Sequence, residues 1–247
     1  MPERAQSRDE LNERLEEVRR RIEAAALRGG RAPQEIKLIA VSKTHPPALL
    51  KRAIEAGASD LGENRVQEAD AKITELGRQS ARWHLIGHLQ ANKARRAVVL
   101  FDLIHSIDSV SLARRLDRLC LEEGRDTLPV LIQVDLAGEA TKSGASVTEL
   151  TELIAAIKAC ERLRLKGLMA LPPFFEDAEM VRPFFRRLRE LRDLHRGRKD
   201  FDAENGGELS MGMSHDFEVA IEEGATMVRV GTAIFGERSA GGGGRAT

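Results

Sequence analysis

The chain has 247 residues, of which 42% are hydrophobic and 32% charged, and its 39 Lys+Arg balance 39 Asp+Glu to a formal net charge of zero. That size suits one large α/β barrel around a single core, and the charge balance lacks the basic excess expected of a nucleic-acid-binding chain. No apolar run approaches the ~18 residues that cross a bilayer, and the charged start MPERAQSRDELNERL lacks the apolar segment of a signal peptide, so a cytoplasmic protein without membrane or nucleic-acid partners is expected.

In chain order, residues 7–28 carry Leu11, Leu15, Val18, Ile22 and Ala26 at helical spacing among charged residues, and Gly29 and Gly30 stop that helix. Short apolar runs then alternate with helical patterns. The strand candidates are IKLIAVSK from Ile36, DLGEN from Asp60, WHLIG from Trp83, LIHSI from Leu103, PVLIQV from Pro129, LRLKGLMAL from Leu163, ELSMG from Glu208 and MVRVG from Met227. Intervening helices are expected at about 47–56, 109–122, 147–160 and 177–196, among others. Strict alternation implies parallel strands joined by right-handed crossovers, and eight units in this length favour a closed (β/α)₈ TIM-type barrel with an extra N-terminal helix. The expected layout is one barrel domain over 1–236 and a disordered tail over 237–247. Cys120 and Cys160 read as two reduced thiols rather than a disulfide.

In such a barrel the active site forms at the C-terminal strand ends. Those ends carry Lys43, Glu63-Asn64, His84 to His88, Ser106, Asp135, Met169, Ser210 to Ser214 and Arg229 to Thr232. Lys43 shares strand parity with Ile39 and Val41, so an apolar face ends in an amine. A desolvated lysine is easier to deprotonate and can attack an aldehyde; the alternative is an ordinary surface lysine. Ser210 and Ser214, near the seventh strand's end, and Gly231 and Thr232, after the eighth, fall where barrels commonly bind phosphate. Ser214 is alternatively an N-cap for the helix that follows it. Arg229 alternates with Val228 and Val230 and should point into the barrel, towards a carboxylate such as Glu63 or Glu208 or towards a heteroaromatic nitrogen. His84 and His88 bracket a strand end, and His45, His105 and His215 are assigned to separate loops, so no metal site is expected.

VSKTHP (41–46), GENRVQE (62–68), WHLIGHLQANKARR (83–96) and LSMGMSHDFEVAIEEGATMVRVGTAIFG (209–236) resemble the pyridoxal phosphate homeostasis protein family. That family is similar to the N-terminal barrel of alanine racemase, a fold-type III pyridoxal 5′-phosphate (PLP) architecture. The resemblance implies PLP held as an aldimine on Lys43. It also implies Ser210, Ser214, Gly231 and Thr232 around the phosphate, Arg229 facing the pyridine nitrogen, and Asn64 and His84 lining the pocket. Asp135 stands where the family commonly has Asn, Arg65 where many relatives have Tyr, and Leu61 where Phe is frequent, a mild volume change near the pocket wall.

Three functions fit a lysine opposite phosphate loops: a PLP carrier that stores the cofactor or delivers it to apo PLP-dependent enzymes, a PLP-dependent amino-acid racemase, and a Schiff-base aldolase. The chain contains no tyrosine, the residue that supplies the second base in alanine racemase, and an arginine opposite the ring nitrogen weakens the ring as an electron sink. The expectation is a non-catalytic carrier, monomeric or weakly dimeric.

Overall fold

A computed structural model of the chain describes residues 8–138, 143–202 and 206–236. Helix α1 (Arg8–Arg28) leads into β1 (Lys37–Val41), α2 (Pro47–Glu55), β2 (Asp60–Glu63), α3 (Val66–Leu76), β3 (Arg82–Leu85), α4 (Ala94–Leu100), β4 (Leu103–Ile107) and α5 (Val110–Glu122). The chain continues through β5 (Leu128–Asp135), the two-residue β6 (Ala145–Ser146), α6 (Leu150–Lys158), β7 (Leu163–Met169), α7 (Arg182–Gly197), β8 (Glu208–Met213), α8 (Phe217–Glu222), β9 (Met227–Val230) and α9 (Thr232–Phe235). The strands run in the order β4-β3-β2-β1-β9-β8-β7-β5, and a β4–β5 pairing closes the ring. All eight expected strands are present and parallel; β6, which pairs beside β5, had no sequence signal. The expected tail over 237–247 lies outside the described residues. Among those described, no helix is long and apolar enough to cross a membrane.

Alternation along each strand creates two apolar layers. Ala40, Leu61, Val130, Leu168, Val228 and Val230 face the helices in the large outer core. Ile39, Leu103, Leu131, Met169 and Met227 form a small separate cluster inside the barrel. Leu61 therefore belongs to the helix-facing layer and not to a pocket wall, because its neighbour Gly62 takes the inward position, against Ile39. Helix α1 buries Leu11, Leu15, Val18 and Ile22 and packs on α8 and α9, where Arg21 makes a paired contact to Glu218 at 2.9 and 3.0 Å. Ser109 caps α5 by accepting the Leu112 N–H.

Candidate functional site

Lys43 leaves β1 two residues beyond Val41 and is half-buried at the barrel mouth. The turn that presents it is held from below. Lys72, on α3, donates to the Ser42 carbonyl at 2.7 Å, to Glu63 at 2.7 Å and to Glu68 at 2.6 Å. Ser42 Oγ donates to Glu63 at 2.6 Å, and the Thr44 N–H donates to Glu68. Both residues flanking Lys43 are thus tied to one buried ion cluster. Thr44 sits at φ 67, a left-handed conformation costing a β-branched residue about 1–2 kcal/mol; the Glu68 contact holds it there. Burial pushes the Glu63 carboxyl up. Burial works the same way on Glu68, but hydrogen bonds from Lys72 and the Thr44 backbone prevail and hold it below its ordinary value.

The two loops read as a phosphate site do meet. Ser214 Oγ accepts the Gly231 N–H at 3.0 Å and the Ala233 N–H at 3.4 Å. Ser214 thus ties itself to the start of α9, not to α8, the helix it precedes in sequence; Asp216 occupies the α8 N-cap and accepts the Met213 N–H at 2.6 Å. Thr232 is exposed. β1 and β9 are parallel neighbours with Ala40 opposite Val230, so Lys43 and Thr232 emerge from adjacent strand ends. A Cβ on Gly231 would lie 3.3 Å from Val41 Cβ, so a side chain there would crowd the end of β1. His45 packs on Phe235 with ring centroids 4.8 Å apart, joining the Lys43 loop to α9.

Arg229 points into the barrel, as its parity required, and is 3% exposed. Its acceptors are neutral: Ser210 Oγ at 2.6 Å and the Ala170 carbonyl at 2.8 Å. The expected carboxylate contact to Glu63 is not made, because Glu63 faces outward to Lys72. Burial pushes the guanidinium down to about 10, opposed by the charge of Asp216. Ser210 consequently departs from the expectation that groups it with Ser214. Its hydroxyl is fully buried beneath Arg229 and bonds to His105 Nδ1 at 2.9 Å. A register shift between Ser210 and Met213 in the β8–β9 pairing separates the two serines.

His84 is 2% exposed and sits inside the barrel between Asp60 and His105. His105, assigned to a loop from sequence, is in the middle of β4 and fully buried. The signal was available, since His105 shares its parity with the inward Leu103. Asp60 was missed because His84 comes from the next strand, 24 residues on, and Lys72 because only the fold brings Glu63 and the Ser42 carbonyl to an ordinary helix face. Asn64 lies where the loops after β2 and β3 touch: a Cβ on Gly87 would come within 2.3 Å of the Asn64 carbonyl oxygen, and Ser106 Oγ donates to the Gly87 carbonyl at 2.7 Å. Asp135 closes its own loop by accepting the Ala137 and Gly138 N–H groups, each at 3.0 Å. A cavity of about 290 Å³, lined by residues including His88, Gln133, Asp135, Ser143 and Leu171, opens over β5 and β7, across the ring from β1 and β9.

Residues 13–239 match the family model described as alanine racemase, N-terminal domain. The pyridoxal phosphate homeostasis protein of Escherichia coli K12 is 45% identical over 233 residues, covering 93% of this chain and 97% of the relative. The protein of the same name from Aquifex aeolicus is 43% identical over 226 residues, covering 92% and 97%. PipY of Synechococcus elongatus, solved with PLP bound, superimposes with a TM-score of 0.79 at 38% identity, covering 92% of this chain and 100% of PipY. Alanine racemase of Corynebacterium glutamicum shares the fold with a TM-score of 0.61 at 18% identity. The chain belongs to the pyridoxal phosphate homeostasis protein family, built on the alanine racemase N-terminal barrel.

Proposed function

We propose that this chain holds PLP through a Schiff base on Lys43 and serves cytoplasmic PLP homeostasis, storing the cofactor or delivering it to apo PLP-dependent enzymes without strong catalysis of its own. The observation that carries this reading is Arg229, a fully buried cation on the strand next to that of Lys43, whose contacts are neutral oxygens. A buried guanidinium satisfied only by neutral acceptors suits an acceptor-only heteroaromatic nitrogen. The Ser214 hydroxyl, which accepts the Gly231 N–H at this junction, and the exposed Thr232 hydroxyl remain available to donate to a phosphate, and PipY, a relative of 38% identity, is solved with PLP bound.

When bound, the cofactor supplies an aldehyde and an electron-withdrawing ring. The chain's own residues divide the remaining work. Lys72, Glu63 and Glu68 fix the turn on either side of Lys43 and so orient its amine. Ser214, Gly231, Thr232 and Asn64 would hold the phosphate end and the pocket edge. Arg229, charged at neutral pH, would donate to the ring nitrogen and keep it unprotonated, which restrains carbanion chemistry. Ser210 and His84 would act from beneath, through Arg229, without touching the cofactor.

Gel filtration after incubation with PLP tests the reading. One PLP retained per chain, with a yellow colour, is expected; a colourless chain emerging from saturating PLP would refute it.

A further inference from the structure

We propose that Asp60, at the N-terminal end of β2, is a positioning residue for the cofactor pocket, acting through a one-way hydrogen-bonded relay of His84, His105 and Ser210 that ends at Arg229. The relay crosses the barrel interior from β2, β3 and β4 to β8 and β9. Asp60 Oδ1 lies 2.9 Å from His84 Nε2, His84 Nδ1 lies 3.0 Å from His105 Nε2, and His105 Nδ1 lies 2.9 Å from Ser210 Oγ. Ser210 Oγ accepts from Arg229 Nη1 at 2.6 Å. All five residues are buried. The positioning role rests on the PLP reading above; the relay itself does not.

The carboxylate end, with both imidazoles neutral, dictates every proton in the relay. Arginine has donors only, and an ionised carboxylate only accepts. Ser210 accepts from Arg229 and could donate to His105 Nδ1 or accept from it, so the Asp60 end decides. The carboxylate requires a proton on His84 Nε2, and with both imidazoles neutral His84 Nδ1 and His105 Nδ1 are both acceptors. A neutral His105 then carries its proton on Nε2 and donates it to His84 Nδ1. His84 in turn carries its proton on Nε2 and donates to Asp60. Charges facing the relay agree with this assignment. Burial lowers both imidazoles, and Lys37 pushes them the same way, as does Arg229 for His105; Asp60 and Asp102 oppose the shift at His84. Burial raises the Asp60 carboxyl, but hydrogen bonds from His84 and Ser59 and the nearby Lys37 bring it below its ordinary value.

A polar plug serving stability alone needs satisfied partners, but not a cation at one end and an anion at the other. In a low-dielectric interior the oriented bonds reinforce one another; Asp216 is the charge that faces Arg229 directly, and Asp60 reaches it only through the relay. Asp60 thereby fixes the direction of the hydrogen bonds beneath Arg229, leaving the Ser210 oxygen to accept from the guanidinium.

Two measurements decide the matter. Imidazole ¹⁵N NMR of the cofactor-free protein at pH 7 should show His84 and His105 both neutral with the proton on Nε2. An Nδ1–H or doubly protonated ring at either position would overturn the relay. Asp60→Asn keeps an acceptor for His84 but removes the charge. It should weaken PLP binding roughly fivefold or more and move the absorption maximum of the bound cofactor. Ser210→Ala should move the same maximum while His105 keeps its proton on Nε2, still set by Asp60 through His84, which keeps the test available if Asp60→Asn misfolds. Leu116→Ala, in the outer core, should lower the melting temperature without moving the spectrum. Wild-type affinity and spectrum in both relay variants would overturn the positioning role, as would failure of the wild-type chain to bind PLP, an outcome that leaves the NMR assignment standing or falling independently.

Discussion

Ser214 and Gly231, 17 residues apart in sequence, are joined by a 3.0 Å hydrogen bond from the Gly231 N–H to the Ser214 hydroxyl. This contact brings the ends of β8 and β9 together beside Lys43. It gives the site a cluster of small donors, in which a hydrogen bond to a charged group contributes roughly 1.5–3 kcal/mol. Ser214→Ala or Thr232→Val should therefore weaken PLP binding about tenfold or more, read by absorbance titration. Pyridoxal, without the phosphate, should bind the wild-type chain much less tightly than PLP; equal affinities would show that these loops are turns and caps only.

The cluster under Lys43 makes a separate demand on stability. Lys72 and Glu63 are buried and 2.7 Å apart. Lys72→Met leaves Glu63 buried without its cation, and breaking such a pair costs about 3–5 kcal/mol. Urea unfolding should show a loss of that size. Glu63→Gln in the same background should recover part of it, because the remaining cost is the uncompensated carboxylate.

Much of this was legible in the sequence because strand parity is a local property. Arg229 between two valines had to point inward, and Lys43 had to close the inward face of β1. The same rule would have placed His105 inside, had LIHSI been read for parity as MVRVG was. The relay was not legible, since which inward residues touch depends on barrel stagger and on register shifts such as the one between Ser210 and Met213. That shift explains why two serines four residues apart serve different places, one under Arg229 and one at α9. Lys72 escaped notice because helix α3 reads as ordinary and amphipathic until β1 and β2 bring Ser42 and Glu63 to it.

Two buried neutral histidines leave a signature in the pH dependence of stability. Burial holds His84 and His105 below their ordinary value of 6.5. Below that pH the unfolded chain binds protons that the native state refuses, so this contribution is complete above pH 6.5 and is lost as pH falls. Stability should fall as pH drops below 6.5, with the larger share from His105, which burial holds well below its ordinary value. Denaturant unfolding across that window checks it, and His84→Gln with His105→Gln should flatten the slope.

Racemisation should be negligible. It needs acid–base groups on both faces of the α-carbon, the chain has no tyrosine to supply one, and Arg229, in the role proposed for it, would oppose charge delocalisation into the ring. Incubation of the PLP-loaded protein with L-alanine in deuterated water should give little α-deuterium and almost no D-isomer. Turnover near 1 per second, an ordinary enzymatic rate, would instead make the protein a racemase.

Everything proposed for the mouth depends on Lys43 being the attachment point, and reductive trapping reads this directly. Borohydride treatment of the PLP-loaded chain, followed by peptide mapping by mass spectrometry, should find one pyridoxyl group, on Lys43. A pyridoxyl group on any other lysine, or none after saturation with PLP, would contradict the assignment.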